Sequence, residues 1–208
     1  MTCHEQRVKR LKMKCKALGS ALIFAVILFA GIVTTTQAQT YSQKSAQLEG
    51  AKTIYAVTRD NQKLRIGQVT FMRESDSVVR FKLTMAYENF SDHFLSMKEF
   101  KCLEGEEVTC HVAYPYKNPQ TIESGDMAWL EHSLLFLFKQ PRDFGAKLWN
   151  GSYYRFEPNG NGLIGRAQAI DLNYISAPSN TPNIPPYSAD LRVDAAPKER
   201  WIDHLLIE

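Results

Sequence analysis

The densest group of side chains suited to ligand chemistry runs from Trp149 to Phe156, with Tyr153, Tyr154 and Arg155 inside it. Tyr and Trp pair a broad apolar ring with a polar tip, and a neighbouring Arg can hold a carboxylate or a phosphate. Trp149, Tyr153, Tyr154 and Arg155 are therefore the candidate lining of a ligand mouth at the rim of a β-structure. Alternation places Tyr153 and Arg155 on one face of a strand and Tyr154 and Phe156 on the other, which is also the pattern of any half-buried strand.

His93, Cys102, Cys110 and His111 supply the residue types of a zinc site, but no close Cys-x-x-Cys or His-x-x-x-His pair is present. His111 is expected to point away from its neighbour Cys110. In an oxidising compartment the expected bond is instead a disulfide between Cys102 and Cys110, closed over the turn Glu104 to Glu107. Glu104, Glu106 and Glu107 lack the alternating Asp/Asn/Gly pattern of a calcium loop and read as a solvated hairpin tip. Ser91, Asp92 and His93 are sequence neighbours, whereas the members of a catalytic triad must converge in space, so they read as turn residues. Gly160, Gly162 and Gly165 do not open a helix after a strand and form a turn, not a phosphate loop. No catalytic residue, metal ligand or cofactor is assigned.

Residues 1 to 38 have the layout of a signal peptide. Six Lys/Arg lie between Arg7 and Lys16, a charge-free apolar run follows from Ala17 to Val33, and Thr36-Gln37-Ala38 supplies the small residues of a cleavage site. Met13 is an alternative start. Retention of the run as an inner-membrane anchor over residues 17 to 33 is the competing reading. The expected location is periplasmic or secreted.

Removing that leader changes the charge argument. Of 25 basic and 22 acidic side chains, residues 1 to 38 hold six and one, leaving 19 and 21 and a net charge near minus two. The remaining cations are scattered among acids, which argues against nucleic acid as a partner. The membrane is a partner only through the leader, if that stays attached. About 170 residues suffice for one domain with its own core.

The elements that must position these groups are short strands. After a flexible lead-in over 39 to 50, a β-domain is expected over 51 to 175, mostly antiparallel, in a small barrel or sandwich. Gly67 interrupts an alternating run and predicts a bulge or bend. Val79, Phe81, Leu83 and Met85 point inward from one strand, with Arg80, Lys82 and Thr84 outward. Asp126 precedes a short helix over 127 to 132, Leu134 to Phe138 forms a buried strand, and Pro158 to Gly162 is the tight connection of a hairpin. Pro178, Pro182, Pro185 and Pro186 mark 176 to 196 as an extended linker. In 197 to 208, Trp201, Ile202, Leu205 and Leu206 share one side of a helix expected to dock back on the domain.

The runs Tyr87 to Met97, Phe100 to Gly105, Tyr114-Pro115-Tyr116 and Trp149 to Arg155, with Gly162 and Gly165 after them, resemble a family of uncharacterised exported proteins of Gram-negative bacteria over residue 51 onward. That resemblance implies a cell-envelope setting and carries no activity. The functional expectation is thus an exported, non-catalytic envelope protein that binds a small amphipathic ligand or an envelope protein. The alternatives are an interaction module working through the Pro-rich tail and terminal helix, and a hydrolase whose histidines meet Asp or Ser only in the fold.

Overall fold

A computed structural model describes residues 48 to 208 apart from Met97. The leader, the Met13 start and the lead-in up to residue 47 lie outside the described residues. Among the described residues no helix is long and apolar enough to cross a membrane.

Twelve strands form one antiparallel sheet: β1 (Gly50–Thr58), β2 (Lys63–Arg73), β3 (Val78–Met85), β4 (Ser91–Leu95), β5 (Lys98–Glu104), β6 (Val108–Val112), β7 (Thr121–Glu123), β8 (Leu135–Lys139), β9 (Gly151–Asn159), β10 (Gly162–Ile170), β11 (Val193–Asp194) and β12 (Ile202–Ile207). One helix, α1 (Ala128–His132), precedes β8. The spatial order is β4-β5-β6-β8-β9-β10-β12-β1-β2-β3-β7, with β11 added beside β10. The expected all-β class is therefore observed, as a barrel-like or sandwich arrangement of a single curled sheet.

Local signals position the elements as the sequence predicts. At Gly67 the β1–β2 register passes from Ile54 opposite Gly67 to Tyr55 opposite Arg65, so Ile66 is the extra residue of a bulge. That shift lets Ile66, Val69 and Phe71 all reach the core. Asn159 pairs with Gly162 across a two-residue turn in which Gly160 takes φ +55°. On β3, Val79 and Phe81 are buried and Arg80, Lys82 and Thr84 exposed.

Curling the sheet creates two apolar layers. The inner one joins Ile54, Ile66, Phe71 and Phe81 from one end of the sheet to Phe136, Tyr154 and Phe156 from the other, with Leu130 and Leu134 beside them. The second lies on the opposite face of β5, β6, β8, β9 and β10, where Cys102, Cys110, Leu135, Leu137, Tyr153 and Ile170 are covered by Leu172, Ile175 and Tyr187.

Three sequence expectations are corrected. Residues 197 to 208 do not end in a helix; Ile202–Ile207 is β12, hydrogen-bonded to β10 on one side and β1 on the other. Residues 176 to 196 are not a free linker, because Tyr187 is buried and the segment packs across the second layer. The lead-in does not reach residue 50, since Leu48 is buried in the inner core and β1 begins at Gly50.

The hairpin tip is a fourth departure from expectation. Glu104 and Glu106 are exposed, but Glu107 is buried. Its carboxylate pairs with the Arg200 guanidinium and accepts the Trp201 N–H at 3.1 Å. Gly105 lies so close to the Trp201 indole that a Cβ there would collide with the ring. The tip thus docks on the residues that lead into β12.

Candidate functional site on the outer face of β9, β10 and β12

The four ligand candidates do not converge. Tyr153 is buried in the outer apolar layer and Tyr154 in the inner one. Trp149 is exposed in the loop before β9, and Arg155 is exposed on β9 itself. Alternation along the strand separates Tyr154 and Phe156 from Tyr153 and Arg155, as the sequence requires.

Tyr153 belongs to a buried polar cluster centred on α1. Its hydroxyl donates to Oε2 of Glu131, and the Phe156 N–H donates to Oε1 at 2.7 Å. Burial pushes the Glu131 carboxyl above the ordinary carboxylate value, against the pull of those two donors. Arg192 lies over the Tyr153 ring, its guanidinium carbon 4.6 Å from the ring centroid. His132 is fully buried next to them and stacks on Tyr187 at 5.5 Å.

The hydrogen bonds of His132 define its tautomer. Nδ1–H donates to the Ala128 carbonyl at 2.6 Å, and Nε2 accepts the Tyr187 N–H at 3.1 Å. Only the neutral ring satisfies both partners. Burial, more than any neighbouring charge, lowers its pKa to about 4. His111 is committed in the same way: Tyr87 O–H donates to Nδ1 at 2.8 Å, Nε2–H donates to the Ser133 carbonyl at 3.1 Å, and burial lowers its pKa. His93 instead meets Glu104 at 2.7 Å near the exposed edge.

Cys102 and Cys110 face each other in the β5–β6 register with their sulfurs 2.06 Å apart, at disulfide distance. Among the described residues no group of three or more His, Cys, Asp or Glu could hold a metal ion.

Arg155 does acquire neighbours, through pairings that cross the whole chain. It stands opposite Arg166 in the β9–β10 register, and Arg166 stands opposite His204 in the β10–β12 register. Directly paired residues share a face, so three basic side chains form one row across three adjacent strands. Arg155 has no hydrogen-bond or ion-pair partner among the described residues, and Arg166 reaches only Glu157, at 3.7 Å.

A cleft of about 100 Å³ opens beside this row, lined by Arg166, Ala167, Pro197, Arg200, Asp203 and His204 among others. His204 is fixed by a contact of 2.9 Å between its Nδ1 and the Asp203 carboxylate, which leaves Nε2 free of any protein partner among the described residues. Asp203 also accepts the Lys198 N–H at 2.6 Å. Burial pushes the Asp203 carboxyl up, but these hydrogen bonds outweigh it and hold the pKa below the ordinary value. Arg200, another lining residue, stacks its guanidinium 3.2 Å from the Phe138 centroid and keeps a buried Nε without a hydrogen-bond partner among the described residues.

Sequence reading found Arg155 and missed Arg166 and His204. Both are unremarkable along the chain, and only the insertion of β12 beside β10 brings them together. A scan against protein-family models, a search of curated proteins and a search of solved structures each return no match for this chain.

Proposed function

We propose that this protein is an exported, non-catalytic envelope protein that binds an amphipathic ligand on the outer face of β9, β10 and β12. The observation that carries this reading is the row Arg155, Arg166 and His204 beside a cleft, because Arg155 and Arg166 stand directly opposite, a like-charge pairing that is destabilising on a sheet and that an anionic ligand would relieve. Phe71, Phe81, Phe136 and Tyr154 fill the interior, so the ligand is read as docking outside rather than inside a barrel. Export rests on the basic, apolar and small-residue pattern of residues 1 to 38 and on the resemblance to exported Gram-negative proteins.

Native mass spectrometry of the protein released gently from the envelope of cells expressing the full chain tests this, followed by denaturing mass analysis. The expected result is a chain shortened by the leader, two hydrogens light for the disulfide, with an extra non-covalent mass that Arg166→Ala loses. A bare chain would refute ligand carriage. A protein partner is the second reading, favoured by the exposed aromatic rings of Phe94, Phe144 and Trp149. It predicts a co-purifying polypeptide, lost on Phe144→Ser and retained in Arg166→Ala.

A further inference from the structure

The chemical class of ligand can be narrowed from the size and mounting of the cationic row. Small-molecule pockets generally enclose roughly 300 Å³ or more. The cleft beside Arg166 has about 100 Å³, enough for one compact head group with the rest of the ligand outside.

Arg155, Arg166 and His204 lie on three neighbouring strands, and strand spacing sets neighbouring backbones roughly 5 Å apart. A carboxylate has two oxygens in one plane, which a single guanidinium fork engages together. A phosphoryl group presents three oxygens pointing in different directions and can meet donors mounted on separate strands. Arg155 and Arg166 each offer a planar fork, and His204 offers a ring whose Nδ1 is already anchored by Asp203. The Asp203 carboxylate, which also lines the cleft, is engaged through one oxygen by His204 and through the other by the Lys198 N–H. Glu157, the acid within reach of Arg166, sits 3.7 Å away at a half-exposed position, so an incoming phosphoryl group competes with a weak surface pair.

We infer that Arg155, Arg166 and His204 bind the phosphoryl head of an amphipathic ligand, with the head seated on the row at the mouth of the cleft and the remainder lying across the exposed sheet surface. This rests on the surface-binding reading above and adds the identity of the head group. The phosphoryl group has two sources: a soluble phosphate monoester and a phospholipid.

The test uses protein isolated from cells expressing the full chain. Its His204 ring and the backbone amides of Ala195 to Glu199 are followed by NMR during titration with inorganic phosphate and with glycerol phosphate. Sedimentation with phosphatidylcholine vesicles, with and without phosphatidic acid, is measured in parallel. Saturable shifts with soluble phosphates, weakened about tenfold or more by Arg166→Ala and by Arg155→Ala but not by Arg65→Ala, support the inference with a soluble source. Binding confined to the phosphatidic acid vesicles and lost in the same two variants supports it with a lipid source. The folded state of each variant is read from its amide spectrum; both side chains are exposed, so both variants should fold. Absence of saturable binding in both formats, or binding that neither substitution changes, overturns it. A non-covalent mass in native spectra that is displaced neither by phosphate nor by phosphatidic acid vesicles also overturns the phosphoryl assignment, while leaving surface ligand binding intact.

Discussion

The neutral His132 ring makes stability fall in acid by an amount that can be worked out. Its pKa is about 4 in the folded protein against 6.5 for an ordinary histidine. Between those values the unfolded chain binds a proton that the folded one refuses, so stability is complete above pH 6.5 and is lost as pH falls toward 4. At roughly 1.4 kcal/mol per pKa unit the full loss is about 3 kcal/mol, and about 2 kcal/mol of it has gone by pH 4.5. The ring has no exposed surface, so solvent screening takes nothing from this figure.

The assay is urea unfolding at pH 7 and pH 4.5 for the wild type and for His132→Gln, which cannot gain a charge. Its own loss at pH 7 is expected at about 1 to 3 kcal/mol, because the amide cannot serve both Ala128 and Tyr187 equally well. The informative quantity is the difference between pH values, in which the variant should lose about 2 kcal/mol less than the wild type. His111 and the carboxylates also titrate, but they are common to both proteins and cancel in the comparison. Should the variant prove too unstable to measure, the wild-type imidazole resonances report the same thing by staying neutral down to near pH 4. Equal pH dependence in the two proteins, or a His132 titration close to 6.5, would refute the reasoning.

Three further outcomes follow from the packing. Gly105→Ala should cost about 1 to 3 kcal/mol in thermal or urea unfolding, because the new methyl meets the Trp201 indole, whereas the same change at Gly160 should act through its positive φ alone. Replacing Cys102 and Cys110 together by Ser should cost about 2.5 kcal/mol, the loop-closure value for a bridge spanning a separation of eight, checked by unfolding with and without reductant. Glu107→Gln should cost about 3 kcal/mol, since it leaves the Arg200 guanidinium in a mostly buried site without its carboxylate, and the loss should be recovered in part by pairing it with Arg200→Met.

What could be read from the sequence was what neighbouring residues settle between themselves. The Asn159 to Gly162 turn, the Cys102–Cys110 hairpin, the bulge at Gly67 and the short helix before Leu135 all depend on a few adjacent residues, and all appear where the pattern puts them. The terminal strand was misread because of an irregularity. Val57 pairs with His204 but Thr58 pairs with Ile202, so Asp203 is an extra residue, and the inward side chains Ile202, Leu205 and Ile207 do not keep a strict period of two. Together with Trp201 and Leu206, that spacing imitates one face of a helix. Of the candidate site, Arg155 was legible as a cation within an aromatic strand. Arg166 and His204 were not, because their adjacency is a property of strand order and strand order here joins residues far apart in sequence.

The position of β12 also orders events in time. Without it the sheet is two separate blocks, β1-β2-β3-β7 and β4-β5-β6-β8-β9-β10, with no backbone hydrogen bonds of the ladder between them. The segment that joins them follows every other strand of the sheet in chain order. Until residues 202 to 207 arrive, β1 and β10 each present an open edge and the inner core is missing Ile202, Leu205 and Ile207. The two blocks are therefore held short of the native sheet until β12 inserts between them, a pairing of strands far apart in sequence.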